Sequence, residues 1–105
     1  MEKEKGRVSA GKEAKIVKTE GVVGGNPRIE GTRIRVVDVV QSYEQLDHQI
    51  ETIAYEYEIS VPQTLEALKY YYEHPEEIRD QIKKDKEFVK RVKEQGKVKT
   101  LSDLI

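Results

Sequence analysis

Between Val36 and Gln63 the chain states one helical pattern twice and then signals a third, and nothing else in it constrains the fold as much. Val36, Val39, Val40 and Tyr43 fall at i, i+3, i+4 and i+7, with Leu46 closing the run, and Ile50, Ile53, Ala54 and Tyr57 repeat the spacing. Residues so placed line one side of a helix. The spacing predicts a first helix over 37–46 and a second that Asp47 can cap. Ser60-Val61-Pro62-Gln63 then combines a capping serine, a proline tolerated in a first turn and a glutamine three residues on, the start of a third helix. Val61, Leu65, Leu68 and Tyr72 are expected to line its inner face, with one of Tyr70, Tyr71 and Tyr72 packed inward and the others left for an interface. His74-Pro75 predicts a break, because proline disfavours a helical residue before it and brings no amide donor. A last helix restarts with Glu76 and Glu77 at its positive end and runs to about Gln95 before Gly96, with Ile78, Ile82, Val89 and Val92 along it. Asp85 interrupts that stripe, so this helix needs a partner to bury it.

The segment before the first helix reads differently. Residues 1–14 are charged and aperiodic, too poor in apolar groups to offset the entropy of ordering, and are expected to form a flexible tail. Ile16-Val17-Lys18 is a short β-type run followed by Gly21, Gly24, Gly25 and Asn26-Pro27, strong turn punctuation. Thr32-Arg33-Ile34-Arg35-Val36 then alternates with period two and predicts a strand. A two-stranded ribbon is marginal alone, so it should lean on the helices or pair with a second copy in a homodimer. The expected fold is mainly α: a three-helix bundle of the helix-turn-helix type with an N-terminal β-ribbon and a C-terminal helical extension. Its parts are a 1–14 tail, a 15–78 domain and a basic 79–105 segment.

The chain has 105 residues, 36% hydrophobic and 37% charged, which allows one domain with a thin core and no large enclosed active site. It has no cysteine, so disulfides and thiolate chemistry are excluded, and two histidines make a metal site an unpromising reading. No apolar run is long enough to span a membrane and the first residues do not resemble a signal peptide, so a cytoplasmic protein is expected. Glutamate (15) and lysine (13) greatly outnumber aspartate (5) and arginine (6), the bias of hyperthermophile proteins. The net charge of −1 conceals three blocks, +4 over 1–35, −9 over 36–78 and +4 over 79–105. The acidic centre repels phosphate, and the basic ends attract it or dock on an acidic partner.

Two sets of residues are candidates for function. Arg28, Arg33 and Arg35 on the ribbon, with Gln63, Thr64 and Lys69 on the third helix, are placed to meet DNA if that helix enters a groove by its N-terminal residues. The plainer alternatives are arginines paired with the acids of their own domain and a trihelical scaffold that touches no DNA. In the basic extension, Lys90, Arg91 and Lys93 supply charge, with Phe88, Val89, Val92, Leu101 and Leu104 as apolar anchors for a protein partner. The glycines around Asn26 lack the lysine and the strand-to-helix setting of a phosphate loop. His48 and His74 have no nucleophile or acid–base partner nearby in the pattern, so neither an enzyme nor a cofactor is expected.

Residues 25–36, Gly-Asn-Pro-Arg-Ile-Glu-Gly-Thr-Arg-Ile-Arg-Val, resemble the signature of the domain of unknown function 433 family, Gly-x-Pro-x-Ile-x-Gly-Thr-Arg-Ile-x-Val. The run from Ala67 to Ile78 is similar to that family's third helix and its exit. Where the family often has a glycine-serine turn and a Tyr-Pro, this chain has Leu46-Asp47-His48-Gln49 and Tyr57-Glu58. The resemblance implies a homeodomain-like fold, commonly dimeric, and a role as a VapB-like antitoxin of a type II toxin-antitoxin pair whose toxin is a PIN-like ribonuclease. It also implies repression of the protein's own operon, and a stand-alone dimeric DNA-binding regulator is the alternative.

Overall fold

The computed structural model describes residues 14–96. The 1–13 part of the expected tail, and Leu101 and Leu104, lie outside those residues. Strand β1 (Ile16–Val17) pairs antiparallel with β2 (Arg28–Ile29), Ile16 opposite Ile29 and Val17 opposite Arg28. Four helices follow: α1 (Val36–Glu44), α2 (Ile50–Tyr57), α3 (Val61–Glu73) and α4 (Pro75–Glu94). The molecule is mainly helical, with the small sheet at the N-terminal side, as the periodicities predict.

The second strand is not where the alternation put it. Residues 30–33 form a turn, with the Thr32 amide bonded to the Ile29 carbonyl at 3.0 Å, the Thr32 hydroxyl to the same carbonyl at 2.8 Å, and Gly31 at φ +84°. A side chain at that φ is strained, which is why glycine stands there. The chain returns beside β2 through one bridge, Arg28 opposite Arg35, flanked by bonds from the Ile29 amide to the Ile34 carbonyl and from the Val36 amide to the Pro27 carbonyl, each 2.9 Å. Val36 then opens α1, and Asp38 in its first turn accepts from the Arg35 amide at 3.0 Å.

Asp47 does not cap α2; it sits at φ +59° in the connection, and Gln49 holds the N-cap position without a side-chain bond. Ser60 and Gln63 do form the reciprocal box, the Gln63 amide donating to Ser60 Oγ at 3.0 Å and the Ser60 amide to Gln63 Oε1 at 2.8 Å. α3 ends at Glu73 because Pro75 excludes the helical region for His74, which lies at φ −136°, ψ 57°. α4 then runs 20 residues, about 30 Å, and passes unbroken through the expected boundary at residue 78. Gly96 at φ +74° follows its last turn.

The core gathers Ile29 from the ribbon, Val36, Val37, Val39 and Val40 from α1, Ile53 from α2, Ala67, Leu68 and Tyr71 from α3, and Ile78 from α4. α3 faces it in a different phase from the one its apolar residues predict. Thr64, Ala67, Leu68 and Tyr71 are buried, whereas Val61, Leu65 and Tyr72 are exposed. Thr64 and Ala67 are small enough to let α1 and α2 lie close, and the Thr64 hydroxyl is satisfied by the Ser60 carbonyl at 3.0 Å.

Candidate functional site

The ribbon and the start of α3 hold the residues that sequence reasoning assigned to DNA. Arg28 donates to the Thr32 carbonyl at 2.9 Å and to the Thr19 hydroxyl at 3.1 Å, so its guanidinium closes the turn beneath it. Arg35 lies between two carboxylates, 2.9 Å from Asp38 Oδ1 and 3.1 Å from Asp85 Oδ2, and ties the N-terminus of α1 to the middle of α4. Burial lowers the pKa of this guanidinium, but the two carboxylates outweigh that effect and hold the net shift upward. Gln63 is engaged in its capping box, and Thr64 is fully buried, so it packs the core rather than reaching a base edge. Arg33 and Lys69 remain exposed, with no ion pair to another described residue. The structure thus binds three of the six side chains into the domain, buries a fourth, and leaves two outward.

A second cluster joins the ribbon to the α3–α4 corner. Lys18 Nζ lies 2.9 Å from Glu77 Oε2, and the Tyr70 hydroxyl donates to Glu77 Oε1 at 2.7 Å. Burial opposes ionisation of Glu77, but the Lys18 and Tyr70 bonds and the nearby His74 prevail and hold it below the ordinary carboxylate value. Burial and the same bond push the Tyr70 phenol up, and the Glu77 carboxylate raises Lys18. His74 stacks on Tyr70 with ring centroids 4.1 Å apart.

The candidate partner residues lie along α4. Ile78 is buried and Ile82 half-buried against the core, and the same line continues outward as Val89 and Phe88, 48% and 59% exposed, with Val92 half-buried. At ~100° per residue, Arg79, Lys83, Lys86, Lys90 and Lys93 share a sector about 80° wide beside that stripe. Between them runs an apolar-floored groove of about 330 Å³ lined by Arg79, Ile82, Lys83, Lys86, Glu87 and Lys90. Arg91 is exposed on the other flank. Arg79 is anchored, its Nε donating to the Tyr71 hydroxyl at 3.3 Å with the guanidinium carbon 5.7 Å from that ring's centroid.

Sequence reasoning missed two features. The outward stripe of Val61, Leu65 and Tyr72 was assigned to the core, and only the small side chains of Thr64 and Ala67 in its place signal the true phase. Asp85 was read as a flaw in an apolar stripe, when it is a ligand of Arg35. Among the described residues no group of three or more His, Cys, Asp or Glu is arranged to hold a metal ion, and no helix is long and apolar enough to cross a membrane.

These features define a small trihelical domain with a ribbon at one end and a charged helical arm at the other. The chain belongs to the family described as "Protein of unknown function (DUF433)", whose model matches residues 16–71 and therefore stops short of α4. A member of that family from Anabaena variabilis, known from a crystal structure, is similar to it with a TM-score of 0.59 and 34% sequence identity over 64% of this chain and 66% of that one. The matched part thus spans just under two thirds of the neighbour's length. A comparison with curated proteins found no match.

Proposed function

We propose that this protein is the antitoxin of a type II toxin-antitoxin pair and neutralises a PIN-like ribonuclease through the distal part of α4 and the chain beyond it. The observation that carries the reading is the end of α4, where Phe88 and Val89 stand exposed among the exposed cations Lys90, Arg91 and Lys93. Nucleases of that class hold divalent metal with clustered carboxylates, which makes an acidic groove. A helix with apolar anchors and a cationic flank suits such a groove, the anchors supplying affinity and the charges register. The setting is the cytoplasm, where cellular RNA would be the toxin's substrate. Repression of the operon would fall to Arg33 and Lys69, the two outward cations of the DNA set. A protein partner is favoured over DNA because Arg28 and Arg35 are engaged within the domain and acids crowd α3.

Co-expression with the nuclease encoded beside this chain tests the reading. The wild type is expected to co-purify with it and block RNA cleavage; Phe88→Asp, with an unchanged melting curve, is expected to lose both. A neighbouring nuclease that is neither bound nor inhibited, or one that Phe88→Asp binds as well as the wild type, removes the reading.

A further inference from the structure

Two exposed amphipathic stripes on the described part of the molecule are opposite in charge. On α3, Val61, Leu65 and Tyr72 are 38%, 47% and 65% exposed and lie at i, i+4 and i+11, one stripe about three turns long. Glu66 and Glu73 flank it on a segment whose only cation is Lys69. On α4, Phe88 and Val89 lead an apolar line past the end of the core beside the cationic ridge. The chain's own α4 does not cover the α3 stripe, because it turns back at His74 and packs Ile78 and Arg79 by the Tyr71 side of α3.

We propose that the distal half of α4 of one copy lies on the α3 stripe of a second copy, and reciprocally, so that the protein forms a two-fold dimer by exchange of its helical arms. Charge complementarity selects this occupant. A second α3 would bring Glu66 and Glu73 against their like, and the same acids repel nucleic acid phosphate. The arm of a second copy instead brings Lys86, Lys90 and Lys93 to those carboxylates and Phe88 and Val89 to Leu65 and Tyr72. One helix-on-helix contact of this length falls short of the ~1,200–2,000 Å² that stable interfaces bury, and the two-fold axis doubles it. The proposal uses the free chain and stands whether or not the antitoxin reading holds.

Sedimentation equilibrium of the full chain tests it. The wild type is expected at twice its 12.2 kDa chain mass, dissociating more readily as salt rises, and both Leu65→Lys and Phe88→Glu at the chain mass. Both side chains are exposed, so their melting curves should be unchanged. Glu66→Lys with Glu73→Lys should dissociate the dimer, and adding Lys86→Glu with Lys90→Glu should restore it. Zero-length carbodiimide cross-linking of a mixture of isotopically light and heavy wild-type chains should join Lys90 of one copy to Glu73 of the other, which checks the contact without any variant. A monomeric wild type overturns the proposal. So does a dimer that survives either single variant, since loss in Leu65→Lys alone means α3 on α3 and survival of both means another surface, such as the ribbon. Cross-links confined within one chain also overturn it.

Discussion

Glu77 receives the Lys18 ammonium from the ribbon side and the Tyr70 hydroxyl from α3, so one carboxylate in the first turn of α4 holds three segments together. Its folded pKa is depressed below the ordinary 4.5. A depressed carboxylate contributes stability that is present above its unfolded pKa and is lost as pH falls through the folded value. The urea midpoint of the wild type should therefore fall more than that of Glu77→Gln between about pH 5 and about pH 3. At the alkaline end the sign reverses. Tyr70 and Lys18 are raised above 10.0 and 10.5, so their contribution is complete below those values and is lost as pH rises through the folded ones. Glu58 offers a different residue-scale test. It ends α2 at φ +58°, a conformation that costs a non-glycine residue roughly 1–2 kcal/mol. Glycine's extra unfolded-state entropy offsets roughly 0.5–1 kcal/mol of the relief, so Glu58→Gly should raise stability by a few tenths to about 1 kcal/mol in urea titrations.

The elements differ in what they contribute to the fold. Ile78, in the first turn of α4, is fully buried, and Ile78→Ala should cost about 2–5 kcal/mol. Phe88, ten residues along the same helix, should change stability by less than about 0.5 kcal/mol when replaced by alanine under monomeric conditions. Chemical denaturation of the two variants separates the rooted half of α4 from the free half. Ser60→Ala should cost about 1 kcal/mol by removing the acceptor of the Gln63 amide. The helices were legible because their periods, the capping box at Ser60 and the His74-Pro75 break are local signals that tertiary packing did not contradict. The phase of α3 was less legible: hydropathy ranks Val61 and Leu65 above Thr64 and Ala67, whereas close helix packing rewards the small pair. The second strand was misplaced because Thr32, Ile34 and Val36 alternate for unrelated reasons, as turn hydroxyl, packed side chain and first residue of α1. Of the candidate site, the exposed end of α4 was readable from its interrupted stripe, but the capture of Arg35 by Asp38 and Asp85 was not, since residue 85 is 50 positions away in the chain.

Across the whole molecule, which measures 53 × 33 × 29 Å, α4 gives the long dimension. If its stripe takes the toxin and also joins two copies, the two bindings compete, so adding the nuclease should convert dimers of this chain into complexes holding one copy. Light scattering of the mixture at increasing nuclease checks this: a mass that only adds nuclease to an intact dimer contradicts the shared stripe. Arg35 grips Asp85 about 15 Å along α4 from Pro75, with nearly as much helix beyond it. In mechanical terms α4 is a lever, with its pivot at the non-helical His74 and a single electrostatic latch halfway along. A displacement at the latch is roughly doubled at the tip. Cutting the latch with Arg35→Ala should leave the core of α1 to α3 in place and speed amide exchange in residues 86–94, so the aim of the tip is set by a side chain that never touches what the tip binds.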